Sequence, residues 1–427
     1  MKKIHGQVFQ YSLVLVVISL PYSIKINNIA IVLMVLNWIV EGNFAAKFAA
    51  LRSNILFWLF AAFYTLHAIA LVYTADLNEG LFQLEKKLPL LIFPFILAST
   101  TSLSKKQLQT VLFSFVLSIF VALTICLGYA FHRNNYLETF TNPVWFYFSY
   151  NDLTEVIDIQ PNYLAIYVGF SIFILTFFLI ENWHAYKVFE KLGRLLCITY
   201  FVLCLLLLSG RTPIAATIFI VSIASFYFFY KKGILLKGLL VWTVASLSLL
   251  VVMYQIPIIR ERLLQTFGIE QQMTWISQMG DGKGGLPSIR LLKWKCAWEI
   301  IKDNWLIGVG PGDAQNLLQI QYKKINFDLA FNEKFNPHNQ FLQTWLGLGF
   351  VGLISFVGSL AMPMVRSYRQ KNHLYLIFVL FVFLCCITES VFERRLGIVF
   401  YAVFNSLLAF HFLADLNEVS IEPKSAD

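Results

Sequence analysis

Long apolar runs broken by short polar intervals dominate the chain, and their length suits membrane-spanning helices. A bilayer core of about 30 Å takes roughly 20 helical residues, and about twelve segments approach that requirement: 7–23, 27–41, 54–73, 88–100, 107–131, 162–181, 195–210, 213–230, 234–256, 340–365, 373–389 and 395–413. The second and fourth are short, so eleven spans with a re-entrant piece is the alternative count. The pattern predicts an all-α polytopic membrane protein. Nine spans occupy 1–256, a large loop 257–339, three further spans 340–413, and a tail 414–427. Met1-Lys2-Lys3 before the run from Val8 resembles a signal peptide. It lacks a small-residue cleavage site and leads directly into another run, so it reads as a retained first span.

The large loop has its own period. Leu291, Trp294, Trp298, Ile301 and Trp305 recur at spacings of 3, 4, 3 and 4, with Lys293, Lys295, Glu299, Lys302 and Asp303 off that stripe. The spacing predicts an amphipathic helix on the outer membrane–water interface, its tryptophans at headgroup depth. Ser288 is the expected N-cap, and Gly308 with the Gly310-Pro311-Gly312 turn the expected stop. The shorter polar loop, 132–161, is aromatic and mildly acidic. It reads either as an ordinary interfacial lid or as a surface for sugar or lipid headgroups. No repeat and no soluble domain is visible.

Composition agrees: 58% hydrophobic and 13% charged residues over 427, with a mean hydropathy of +0.67, exclude a soluble domain of this length. A net charge of +9 would suggest nucleic acid in a soluble protein. Its distribution says otherwise. With the N-terminus inside, 16 Lys and Arg fall on inner segments and 7 on short outer ones, while the other 10 lie in the long loop, which the positive-inside rule does not count. Both termini are therefore expected in the cytoplasm, the two loops outside, and no nucleic-acid partner. Of the cysteines, Cys126, Cys197, Cys204, Cys385 and Cys386 fall in apolar runs and Cys296 is alone in the loop, so neither a disulfide framework nor a metal cluster is expected.

Few catalytic groups remain on the outer face, His132 and His338 among the histidines. Asn336-Pro337 reads as an N-cap followed by the first helical position, which puts His338 in the first turn of the tenth span. The helix dipole there disfavours an imidazolium and leaves a ring able to accept a proton. The plainer reading is a histidine that only satisfies a helix start. Arg211, in Ser209-Gly210-Arg211-Thr212-Pro213, stands beside a second expected outward N-terminus, with Thr212 as cap. A guanidinium there suits phosphate oxygens, as does Arg290 at the head of the amphipathic helix. Each could equally be a topology-setting arginine. Lys86 and Lys87, on the outer side, pair with phosphate or anchor at headgroups. Glu389 and Glu393, beside Arg394 and Arg395, read as a salt-bridged corner. Two arginines and a histidine on one face, without a metal-ligand cluster, point to metal-free handling of a phosphorylated lipid.

The Ser-Gly-Arg-Thr at the end of an apolar run, then R-x-x-x-W-x-x-A-W-E-I-I-x-x-N-W-L-I-G-V-G-P-G and H-N-Q-F-L-Q-T-W-L-G-L-G-F-V-G, resemble the O-antigen ligase family. That family also holds O-antigen polymerases and protein O-oligosaccharyltransferases. The likeness is collinear over 209–352; LEKKLPLLIFP and 389–406 resemble it more weakly. It implies a GT-C type glycosyltransferase of the bacterial inner membrane, taking a glycan from undecaprenyl diphosphate on the periplasmic side, with no metal, nucleotide or other cofactor. It implies that His338 activates the acceptor hydroxyl with Asn339 in support, and that Arg211 and Arg290 hold the diphosphate. Gln160, before Pro161, stands where relatives often carry a histidine. Ligation of O-antigen to lipid A-core is the first expectation, a polymerase the second, a transferase onto protein hydroxyls the third. A transporter would predict a duplicated half-chain and ionisable residues at mid-membrane, and neither is seen.

Overall fold

In the computed structural model, which describes residues 2–100, 103–136, 146–255 and 289–411, every one of the twelve apolar segments falls on a helix, and no strand occurs among the described residues. The chain divides into two compact units, 1–115 with 287–427 and 116–286. Five helices are long and apolar enough to cross a membrane: Ile24–Glu41, Lys105–Asn134, Pro161–Glu181, Arg211–Lys231 and Gln340–Arg369. A sixth candidate is the pair Phe44–Arg52 and Ile55–Ala70, bent by 88° at its break. The chain is thus a multi-pass helical membrane protein.

The first unit begins with α1 (Lys2–Ser19) and α2 (Ile24–Glu41), stapled where buried Asn27 donates to Val16 O at 2.8 Å and Ser19 Oγ at 3.1 Å. Helix α3 (Phe44–Arg52) turns sharply into α4 (Ile55–Ala70); its Lys47 is buried, paired with Glu41 at 2.8 Å and stacked on Trp38. Next come the amphipathic α5 (Leu77–Lys87) and the apolar α6 (Pro89–Ser99), joined through the helical backbone of Leu88. Eleven residues rise only about 16 Å, so α6 alone cannot cross a bilayer, in line with its shortness in the sequence. Helix α7 (Lys105–Tyr136) starts in this unit.

In the second unit, the short α8 (Tyr150–Thr154) leads to α9 (Pro161–Glu181), buried along most of its length and packed against α10 (Val188–Leu207) and α11 (Arg211–Lys231), with α12 (Leu235–Gln255) beside α11. The described part of the aromatic loop is folded, with Arg133 stacked on Tyr147 at 4.4 Å and ion-paired to Glu155.

The chain returns to the first unit with α13 (Ile289–Asp303), α14 (Ala314–Lys324), α15 (Asp328–Asn332), α16 (Gln340–Arg369), α17 (His373–Thr388) and α18 (Arg395–Phe410). Helix α18 is the hub of the core. Residues Gly397 to Ala409 are all buried, and the Phe404 ring meets Phe115 of α7 at 4.7 Å. Polar atoms inside this apolar shell find partners, as when Tyr375 donates to Asn405 Oδ1 at 2.8 Å.

Candidate active site

The tenth apolar segment is not one straight helix. Gly349, at φ 67° and ψ −167°, breaks α16 after about two turns and leaves 350–369 to run on. A break exposes backbone groups that an apolar setting cannot leave unpaired, and the loop after α13 takes them up. Val309 N donates to Leu346 O and Gly310 N to Gly347 O, both at 2.9 Å, while Phe350 N donates to Trp305 O at 2.8 Å. The glycines of the G-V-G-P-G motif thereby acquire a reason. A Cβ on Gly308 would stand 2.5 Å from Gly349 N, and one on Gly310 2.2 Å from Thr74 Oγ1. The α4–α5 turn closes on the same loop: Tyr73 donates to Ile307 O at 2.6 Å, and the Asp313 carboxylate accepts from Ala75 N and Asp76 N at 2.6 and 2.9 Å.

His338 rides on this junction. The sequence placed the cap at Asn336, but the structure places it at Asn339, whose Oδ1 accepts from Leu342 N at 3.0 Å. His338 is therefore outside the first turn, one residue before the cap, with a left-handed φ of 49°. Asn336 Oδ1 holds this turn by accepting from His338 N at 2.9 Å, because an Asx side chain mimics a backbone turn. The His338 ring meets Phe335 edge to face at 5.8 Å, and its Nδ1 lies 3.2 Å from Glu389 Oε1. A carboxylate accepts, so Nδ1 carries a proton, and in the neutral ring that leaves the lone pair on Nε2.

Glu389 is the residue the sequence misread. It ends α17 in extended backbone, and the turn after it is fastened to the start of α16: Asn339 N donates to Ser390 Oγ at 3.2 Å and Phe392 N to the buried Gln340 Oε1 at 2.7 Å. Glu393, on that turn, pairs with Lys87 of α5 at 3.2 Å rather than closing a corner with its arginine neighbours. Lys87 is buried and also reaches Gln83. Burial disfavours the Glu393 carboxylate, yet Lys87 and Lys86 outweigh it and hold its pKa below the ordinary range. Lys86 lies over Phe82, its pKa pushed down to about 8, first by burial.

Helix α13 sets Leu291, Trp298 and Trp305 of the stripe outward, as an interfacial face should be, whereas Ile301 of the stripe and Lys293, assigned to the polar side, are buried with Cys296 and Ala297. Its ammonium sits 4.5 Å from the centre of the Phe335 ring. Its pKa is pushed down to about 8 by burial and by Arg290 one turn earlier, against the pull of Glu389. Arg290 is the second residue of α13; Ser288 lies outside the described residues. The helix ends at Asp303, before Gly308.

Arg211 belongs to the second unit. It is the exposed first residue of α11, capped by Gly210 and not Thr212, directly after Ser209 in a left-handed turn. A Cβ on Gly210 would stand 2.7 Å from that of Ala165, so α9 packs closely beneath this helix start.

Within the first unit, then, the structure gathers His338, Glu389, Lys293 and Arg290, with Asn339 as cap, and sets Lys86 and Lys87 along the same 389–393 turn. A histidine held by a carboxylate, with cations close by, can accept a proton from a hydroxyl while anionic charge is stabilised. Among the described residues no three His, Cys, Asp or Glu side chains gather as metal ligands. No curated protein matches the chain. Residues 195–357, which carry Arg211, Arg290, Lys293 and His338, match the family model described as O-antigen ligase.

Proposed function

We propose that this protein transfers a glycan from undecaprenyl diphosphate to an acceptor hydroxyl at the periplasmic face of the inner membrane, joining O-antigen to lipid A-core. The observation that carries the reading is the His338–Glu389 pair beside Arg290 and Lys293, in a chain whose matched family joins glycans. His338 Nε2 takes the proton of the attacking hydroxyl. Its imidazolium is stabilised by Glu389, which acts as a positioning residue. Oxygen attacks the anomeric carbon as the bond to the diphosphate breaks, and in-line attack inverts that centre. The positive charges needed are supplied by side chains, so no step requires a metal. Twelve spans, argued from apolar run length, a GT-C arrangement, implied by the family resemblance, and cytoplasmic termini with the site outside, argued from the Lys and Arg distribution, accompany this reading.

Arg290 and Arg211 each suit phosphate oxygens, Arg211 at a helix start whose dipole favours an anion. Lys86 and Asn339 are the remaining candidates for substrate contact. Lys87, committed to Glu393, would act by holding the 389–393 turn. Arg211→Lys keeps the charge but loses the two-pronged grip. It is expected to lower turnover about 10- to 100-fold, the worth of one charge-assisted pair; full turnover would reduce Arg211 to an anchor.

The function itself is tested on cells that lack the protein, by profiling surface glycolipids and the undecaprenyl-linked pool together. Full-length polymer held on the carrier, with bare lipid A-core, is the expected result. Lipid A-core bearing a single repeat unit would make the protein a polymerase instead. An unchanged glycolipid profile would overturn both and move the search to glycoproteins.

A further inference from the structure

Lys293 is the least explained charge in the first unit. Only 4% of it is exposed, and its described surroundings offer the ammonium the face of Phe335 and the fields of Arg290 and Glu389, but neither a hydrogen bond nor an ion pair. A cation over a ring gains about 0.5–2 kcal/mol, while burying an unpaired charge costs several. Glu389 does not close the gap, because its carboxylate is engaged by His338. Arg290 makes matters worse, since the two like charges lie on one face of α13, three residues apart. Two cations forced together, one of them buried and unpaired, are a site built for an anion.

We propose that Lys293 is a phosphate ligand, forming with Arg290 a subsite on α13 for one phosphate group of the donor's diphosphate. The inference rests on the glycan-transfer reading for the identity of the donor. Its chemistry is stated by the residues alone. As the glycosidic bond breaks, negative charge grows on the bridging phosphate oxygen. An ammonium largely withdrawn from water stabilises that oxygen more than a fully solvated one would. Phe335 has a double part, steering the ammonium by its face and the His338 ring by its edge, so base and leaving-group ligand are set by one aromatic side chain. A phospholipid headgroup offers the same phosphate chemistry.

The test uses the full-length protein in neutral detergent, with inorganic pyrophosphate as probe and binding read by calorimetry and by the shift in unfolding temperature. Lys293→Met keeps the stem and its contact with Phe335 but removes the charge, and Lys293→Arg restores the charge. Pyrophosphate is expected to bind the natural protein and Lys293→Arg, and to bind Lys293→Met about tenfold or more weakly. If Lys293→Met does not fold, the comparison passes to Lys293→Gln. Nanodiscs of phosphatidylcholine and phosphatidylglycerol separate the two sources. Stabilisation by phosphatidylglycerol that depends on Lys293, in place of pyrophosphate binding, keeps the phosphate subsite and assigns it to a headgroup. Equal pyrophosphate affinity in Lys293→Met and the natural protein, with no Lys293-dependent lipid effect, overturns the proposal. Glycan transfer measured on the same preparations keeps the questions apart. An inactive protein that still needs Lys293 for pyrophosphate would sink the transfer reading and leave the subsite, while an active one that does not would do the reverse.

Discussion

His338→Ala should lower transfer by about 10²- to 10⁴-fold, the usual worth of a positioned general base, while the protein still inserts and unfolds at its ordinary temperature. Among the described residues the part-exposed ring meets Phe335 edge to face and pairs with Glu389, so its loss removes little packing. The partner variant carries more information. Glu389→Gln keeps the length and shape of the side chain but replaces an acceptor-only group with one that can also donate, so the imidazole loses both its fixed tautomer and the charge that stabilises its protonated form. A drop in kcat larger than any change in the donor KM is expected, because Glu389 acts first on the base and reaches the phosphate subsite only through its field on Lys293. The double variant should be little worse than His338→Ala alone, since residues that act as one unit do not lose their effects twice. A full additive loss would mean that Glu389 works elsewhere. Normal turnover in His338→Ala would remove the base assignment altogether.

Much of this was legible before any coordinates. Apolar run length placed each of its twelve segments on a helix because it is a one-dimensional property, five of those helices being long and apolar enough to cross a membrane, and the motif drew attention to Arg290, Gly308 to Gly312 and His338. Glu389 was not legible, for a definite reason. In sequence it neighbours Arg394 and Arg395, and a carboxylate among arginines reads as a solvated corner. Its partner lies 51 residues earlier, and only the docking of the 389–393 turn onto the start of α16 makes the pair. Lys293 escaped for a related reason. Leu291, Trp298 and Trp305 point outward, as an interfacial stripe should, but the sequence pattern puts every charged residue between them on a solvated side, whereas Lys293 lies on the packed side with Ile301. In a membrane protein the more apolar side of a helix need not be its inner side, because lipid accepts what water would reject. The capping residues were misplaced by two or three positions at both His338 and Arg211, since Asn-Pro and Thr-Pro satisfy the local rule equally well wherever the chain turns.

The second large effect is expected from a single methyl group. Gly349→Ala should destroy the junction that carries the site, whereas Gly347→Ala, two residues away, should be tolerated. At φ 67° and ψ −167° Gly349 occupies backbone space that is essentially closed to other residues, and its new Cβ would fall 2.2 Å from Leu306 O and 2.3 Å from Leu306 C. Neither atom belongs to a flexible side chain that can swing aside. Relieving the contact means parting the loop from α16, which abandons three close backbone hydrogen bonds in a setting where each orphaned group costs about 1–3 kcal/mol. Together with about 1–3 kcal/mol of backbone strain, the total rivals the whole stability of an ordinary domain. Gly347 is helical, and a Cβ there meets nothing within 4 Å, so alanine should be neutral or add up to about 1 kcal/mol through helix propensity. Thermal unfolding of the purified variants, read beside transfer activity, decides the matter. A Gly349→Ala protein that melts and turns over like its parent would mean that the break in α16 is no fixed hinge and that His338 is not held in the manner described.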